Sequence, residues 1–118
     1  MNIEEYRDYC ISKKGATESF PFDETTLVFK VMNKMFALTG IDEFSFINLK
    51  CNPEKAIELR EEFEAVQPGY HMNKALWNSV YTNKDAPDKL IYQWIDDSYS
   101  LIVLSLTKKL QKELKELE

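Results

Sequence analysis

The sequence predicts an α+β fold in which helices pack on one face of an antiparallel four-stranded sheet, in the order α-β-β-β-α-β-α-α. Three observations carry this prediction. Hydrophobic residues alternate with a period of two in three consecutive stretches between Leu27 and Lys50. Capping residues mark two helix starts, at Asn2 and Asn52. The chain has 118 residues, 44% of them hydrophobic, which suits a single domain spanning 1–118.

The first predicted element is a short helix. The side chain of Asn2 can cap it and pair with Glu5 as a capping box. Gly15 can adopt the left-handed conformation that follows a helix end. The helix-spaced positions that share its apolar face are Ile3, Tyr6 and Cys10.

A connector and three strands are predicted next. Residues 15–26, GATESFPFDETT, are turn-rich, and we expect Phe20 and Phe22 to anchor them to the core. The alternating stretches that predict strands are 27–32, 35–40 and 44–50. A tight turn at Asn33 and Lys34 would join the first two strands, with Phe36 and Leu38 both inward.

The second half of the chain predicts three helices and one strand. Asn52 and Pro53 are favoured at a helix start, because Asn caps free backbone N–H groups and proline fits the first turn. Residues 76–82, LWNSVYT, predict the fourth strand, with Trp77 on one face. A long helix is predicted to begin around Asp85–Asp88, and a terminal helix occupies 107–118.

Charge is segregated between the predicted strands and helices. The stretches 25–41, 44–53 and 65–84 contain five lysines and neither Asp nor Glu. Because the whole chain carries −5, the remaining residues carry −10. A sheet covered by helices on one side would then present a basic open face, which favours an anionic partner. The alternative is that the lysines only protect exposed strand edges.

Residues 68–80, PGYHMNKALWNSV, hold the only histidine of the chain. His71 either braces its loop through the ring nitrogens, contacts a partner, or acts in catalysis. It has no Cys, His or carboxylate neighbours at ligand spacing, so no metal site is predicted. The three glycines are isolated, which excludes a phosphate-binding loop. A nucleophile pair of Cys51 with His71 has no local support, and we expect neither a cofactor nor enzymatic activity.

The composition of the chain also indicates the cellular compartment in which the protein is expected. No apolar run approaches the roughly 20 residues of a membrane helix, and the first residues lack the features of a signal peptide. Two cysteines are too few for a disulfide framework. We therefore expect a cytoplasmic protein with reduced thiols and no membrane partner.

Four segments together resemble the motif blocks of the MmcQ/YjbR-like family. They are, in order, PFDETTLVFKVMNKMFAL, NLKCNPEKAIELREEF, PGYHMNKALWNSV and SYSLIVLSLTKKL. The resemblance implies a frataxin-like (CyaY-like) arrangement and a DNA-binding role, linked to a double-wing interpretation of the fold, without established catalytic residues. Asn33 replaces a glycine common at that turn. Thr107 replaces a proline that often separates the last two helices, so these run on or are capped by Thr107.

We therefore expect a monomer or weak dimer that binds nucleic acid, DNA in the first instance, through its sheet face and hairpins. Phosphate contacts are predicted from Lys30, Lys34, Lys50 and Lys74. Sugar or base contacts are predicted from Asn73 and Trp77. The competing hypothesis is a binding module for a protein or small anionic ligand, with Tyr70 and His71 at a pocket edge. A concave pocket around Tyr70, His71 and Trp77 would favour the ligand, and a flat face would favour DNA.

Overall fold

A computed structural model of the chain describes residues 1–117; Glu118, the last residue of the predicted terminal helix, lies outside the described residues. Residues 1–117 form four helices and six strands. In chain order they are α1 (Ile3–Ile11), β1 (Ala16–Ser19), β2 (Thr26–Val31), β3 (Lys34–Gly40), β4 (Phe46–Lys50), α2 (Pro53–Glu62), β5 (Val66–Pro68), β6 (Trp77–Tyr81), α3 (Asp88–Ser105) and α4 (Lys108–Glu116). The α+β class is confirmed.

The sheet is antiparallel with the strand order β1-β2-β3-β4-β6-β5, so the prediction of four strands is wrong. The two strands that were missed, β1 and β5, are the short edges of the sheet. Each exists through pairing with a longer neighbour, and neither has an apolar alternation of its own. Phe20 and Phe22 follow β1 with 46% and 63% of their surface exposed, so their predicted anchoring to the core is also wrong.

The hairpin between β2 and β3 turns one residue earlier than predicted. Met32 and Asn33 are its two central residues, with φ of 47° and 69°. Two consecutive positive φ values are the signature of a type I′ turn, whose twist matches that of the flanking strands. Asn33 tolerates this conformation although it is not glycine. Lys34 is therefore not part of the turn and is the first residue of β3.

A β-bulge at Phe36 changes the facing of β3. Phe29 pairs with Ala37 and Lys30 pairs with Met35, so Phe36 is an extra residue. Phe36 therefore points to the helices, where its ring meets Tyr99 of α3, while Leu38 faces the opposite side. The prediction that Phe36 and Leu38 share one face fails at this bulge.

The helices lie on one face of the sheet, as expected. Tyr6 and Cys10 of α1 and Ile91, Ile95 and Ile102 of α3 pack against the apolar side chains of the sheet. Leu59 of α2 and Leu114 of α4 join the same core. The predicted caps at Asn2 and Asn52 are confirmed, since each accepts a backbone N–H bond at the start of a helix. Of the two alternatives for the last two helices, the structure shows the second: they are separate, and Thr107 caps α4.

Candidate functional site

The sheet face opposite the helices, called the open face below, is only partly open. A small cluster of Val28, Leu38 and Trp77 is buried there. Residues 69–76, called the covering loop, lie across this cluster and add Met72 and Leu76 to it. Trp77 is only 8% exposed, so its predicted role as an outward base contact is wrong.

Two buried polar side chains hold the covering loop on the open face. Asn48 of β4 and Ser79 of β6 are cross-strand partners, and the Ser79 hydroxyl donates a hydrogen bond to Asn48 Oδ1. The Tyr70 N–H donates to Ser79 Oγ at 2.8 Å, and Asn48 Nδ2 donates to the Tyr70 carbonyl at 3.2 Å. Both backbone groups of Tyr70 are thus satisfied by strand side chains, which fixes the loop over the sheet.

The base of the covering loop is closed by Gly69. Its N–H donates to the Trp77 carbonyl at 2.9 Å, and a Cβ at this position would lie 2.8 Å from Trp77 Cβ. Glycine is therefore required by close backbone approach. The Lys74 ammonium donates to the Gly69 carbonyl at 2.8 Å, and Asn73 Oδ1 accepts from the Ala75 and Leu76 N–H groups.

His71 occupies a left-handed backbone position, with φ of 58°. Its ring lies 4.1 Å from that of Tyr70, centroid to centroid, and is exposed. Within residues 1–117 its ring nitrogens make no hydrogen bond, so the predicted bracing of the loop through them is wrong. The loop is held instead by its backbone and by Asn48 and Ser79.

A groove of about 650 Å³ runs along the open face beside the covering loop. Its walls combine apolar, aromatic and small polar side chains. They are Phe22, Asp23, Thr26, Met35, Leu38, Thr39, Gly40, Phe46, Asn48, Tyr70, His71, Met72 and Asn73. The predicted pocket residues Tyr70 and His71 are thus brought together with Asn73, whereas Trp77 lies outside the lining.

Aromatic rings form a continuous row that starts at Tyr81, outside the lining, and runs along one side of the groove. Tyr81 of β6 contacts Phe46 at 5.1 Å, and Phe46 contacts Tyr70 edge-on at 5.9 Å, both measured between ring centroids. The row ends with the Tyr70–His71 pair. Lys84 lies over the Tyr81 ring at 5.1 Å, a cation–π contact at the other end of the row.

The four predicted contact lysines gather at one end of the sheet, called the basic end. Lys30 lies near the end of β2, Lys34 begins β3, and Lys50 ends β4. Register places Lys30 and Lys50 on the open face, paired with Met35 and Trp77. Lys74 is in the covering loop, which leads into β6 at the same end. None of these four is in a salt bridge with a carboxylate of residues 1–117.

Acidic side chains lie at the other end of the sheet. Asp23, Glu24, Asp42 and Glu43 occupy the connections before β2 and after β3. The pKa of Asp23, a groove residue, is lowered by hydrogen bonds from the N–H groups of Thr25 and Thr26. Positive and negative charges are therefore separated along the strands, with the expected acidic turn at Asp42 and Glu43 joined by Asp23 and Glu24 at the same end.

The structure offers no support for chemistry between Cys51 and His71. Cys51 lines a small hollow on the helix side of the sheet with Trp94 and Asp97, whereas His71 lines the groove on the open face. Burial raises the pKa of the Cys51 thiol, which disfavours the nucleophilic thiolate.

In residues 1–117, no three His, Cys, Asp or Glu side chains are grouped as metal ligands. No helix of this part of the chain is long and apolar enough to cross a bilayer.

Several groove residues were missed by sequence reasoning. Phe46 and Asn48 alternate on β4, so period-two analysis could place them on one face with Lys50. Phe22 and Met35 had no such signal, because Phe22 follows an unrecognised edge strand and Met35 lies beside the bulge.

Comparison with known proteins gives consistent results. A model of the family described as YjbR matches residues 11–101. The Escherichia coli K12 protein named "Uncharacterized protein YjbR" is 36% identical over 118 residues, which cover 99% of this chain and 100% of that protein.

Two solved structures share the architecture. The crystal structure of Deinococcus radiodurans protein DR2400, described as a DUF419 domain, has a TM-score of 0.90 and 36% identity, covering 97% of this chain and 88% of that one. A crystal structure of a Pseudomonas syringae protein has a TM-score of 0.73 and 29% identity, covering 86% of this chain and 98% of that one.

Proposed function

The chain belongs to the YjbR family, and we propose that it binds nucleic acid through the basic end of its open sheet face. In this proposal Lys30, Lys34, Lys50 and Lys74 contact phosphates, and Asn73 contacts sugar or base. Trp77 acts from beneath the covering loop, as the side chain that supports it.

The observation that carries the proposal is the gathering of four lysines without carboxylate partners at one end of the sheet. An ammonium group in a salt bridge has part of its charge compensated, whereas the charges of these four are not compensated by a carboxylate of residues 1–117, although Lys74 also donates to the Gly69 carbonyl. The acidic residues at the opposite end and on the helices would orient an approaching polyanion towards the basic end. An overall charge of −5 therefore does not prevent local attraction.

Other expectations are part of the same proposal. They are the frataxin-like (CyaY-like) arrangement, the double-wing mode of binding, a cytoplasmic location, a monomeric or weakly dimeric state, and a non-enzymatic role. The lysines of the basic end and the neighbouring groove serve binding in this view, and the mechanism consists of charge attraction followed by side-chain contacts.

A salt-dependent binding measurement tests the proposal. Fluorescence anisotropy with a labelled single strand and a labelled duplex should detect binding at low salt. Four neutralised phosphates give a slope of log K against log salt of roughly −3 for a single strand. Lys34→Glu with Lys74→Glu should weaken binding about ten-fold or more and reduce that slope to about half.

The matched control is Lys109→Glu with Lys112→Glu, which makes the same charge change at exposed positions of α4, on the helix side of the sheet rather than on the open face. It should leave the slope nearly unchanged. Absence of binding to both probes at low salt, or equal effects of the two double variants, would overturn the proposal.

The competing function, a module for a protein or small anionic ligand, is favoured by the concavity at Tyr70 and His71. The ionised Asp23 in the groove opposes an anion there. Thermal-shift and calorimetric screening with anionic metabolites tests this candidate, which requires a stabilising ligand that His71→Gly abolishes. Glycine suits the positive φ of residue 71, so this variant removes the imidazole without straining the loop.

A further inference from the structure

We infer that the groove on the open face accepts unstacked bases, so that the preferred partner is a single-stranded nucleic acid. This inference rests on the proposed function and names the kind of nucleic acid that the same surface would take. It depends on the shape of the groove, on its aromatic row and on the position of the lysines.

The groove has the dimensions of a small-molecule site. Its volume of about 650 Å³ falls within the roughly 300–1,000 Å³ of typical ligand pockets, which is room for a nucleotide. Bases in a duplex are paired and stacked, so they cannot enter a concave site without leaving the helix. A concave floor therefore favours a strand whose bases are already free.

The walls carry the groups that free bases bind. Tyr70 and Phe22 are 58% and 63% exposed at the groove, and Phe46 lies between Tyr70 and Tyr81. Aromatic rings on a sheet surface are stacking platforms for single-stranded bases. Exposed aromatic side chains otherwise leave apolar surface in water, so a stacking partner would also remove this surface from solvent.

Polar groups remain available to read base edges. The amide of Asn48 is engaged at both ends, because its Oδ1 accepts from Ser79 and its Nδ2 donates to the Tyr70 carbonyl. Within residues 1–117, the His71 ring and the Asn73 amide N–H₂ group have no such partner. These two side chains therefore face a bound base with free hydrogen-bonding groups.

The charges on the open face indicate where the phosphate backbone and the bases of a bound single strand would lie. The lysines at the basic end attract phosphates, and the Asp23 carboxylate at the far end repels them. We therefore place the phosphate backbone along Lys34 and Lys74 and the bases in the groove, towards Phe46 and Asp23.

The test compares three labelled probes of equal length: a mixed-sequence single strand, its duplex, and an abasic single strand with the same phosphates but no bases. The single strand should bind about ten-fold tighter than the abasic strand, because stacking of even one base has that effect. It should also bind more tightly than the duplex at the same salt concentration.

Variants locate the effect. Phe22→Ala with Tyr70→Ala should weaken binding of the single strand about ten-fold and leave the abasic strand unaffected. Both side chains are largely exposed, and the Tyr70 backbone keeps its bonds to Asn48 and Ser79, so the fold should persist. The control Phe20→Ala removes an exposed ring outside this groove and should change nothing.

The outcomes separate the two levels of the proposal. Equal binding of normal and abasic strands, or equal behaviour of the double variant and Phe20→Ala, overturns the groove inference. If Lys34→Glu with Lys74→Glu still weakens binding in that case, the proposed function stands without it. Failure of every probe to bind at low salt overturns both.

Discussion

Replacement of Ser98 by alanine should destabilise the protein strongly, although serine is a polar residue in the middle of a helix. Ser98 is fully buried in α3. Its hydroxyl donates to the Phe36 carbonyl at 2.6 Å and accepts from the Lys50 N–H at 2.9 Å. The last register pair of β3 and β4 at this end is Ala37 with Leu49, so Phe36 and Lys50 would face each other next. The Ser98 hydroxyl therefore bridges the Phe36 carbonyl and the Lys50 N–H at the point where the hydrogen bonds between β3 and β4 would otherwise continue.

The magnitude follows from the two backbone groups that lose their partner. Each buried donor or acceptor left unsatisfied costs about 1–3 kcal/mol, so the loss of both partners in Ser98→Ala should lower the free energy of unfolding by about 2–6 kcal/mol. Urea unfolding followed by tryptophan fluorescence measures this, since Trp77 and Trp94 are both buried.

Ser105→Ala is the matched control. Ser105 lies in the same helix, and its hydroxyl bonds only the Ile102 carbonyl at an exposed position. We expect a change within about 0.5 kcal/mol there. If Ser98→Ala also stays within about 1 kcal/mol of the wild type, the strands can close directly, and the bridging role of the hydroxyl is refuted.

Three further predictions concern other parts of the fold. Gly69→Ala should lower stability by about 1–3 kcal/mol, because the new Cβ meets Trp77, and thermal unfolding will measure it. Burial raises the pKa of the Cys10 thiol to about 12, so stability that is complete below the unfolded thiol pKa should be lost as the pH rises towards 12. Unfolding curves across this alkaline range should show a smaller loss for Cys10→Ala, and an equal loss would contradict the assignment. Asn48→Leu removes the bonds that hold the Tyr70 carbonyl and the Ser79 hydroxyl, so amide hydrogen exchange in the covering loop should accelerate, with no acceleration in α4.

Local signals in the sequence were sufficient for the helices and the long strands. The caps at Asn2, Asn52 and Thr107 depend on residues within one turn, so they could be recognised without tertiary information. The alternation in β2 correctly separated Leu27, Phe29 and Val31 from the residues of the opposite face.

The missed features depend on partners distant in sequence. β5 is a three-residue strand that exists because β6 pairs with it, and the bulge at Phe36 is accompanied by a hydroxyl from α3. Trp77 looked like an outward contact because nothing local shows that residues 69–76 fold back over it. Lys30, Lys34 and Lys50 were correctly associated with strands, whereas Lys74 lies in the covering loop. Their gathering at one end follows from register and strand order, which sequence spacing does not reveal.

Backbone NMR with ¹⁵N-labelled protein and an unlabelled short single strand tests the location of nucleic-acid binding most directly. At low salt we expect chemical-shift changes at Lys30, Lys34, Lys50 and across residues 69–76, with α4 unchanged. Changes centred on the helices, or none at saturating strand concentration, would contradict binding at the basic end of the open face.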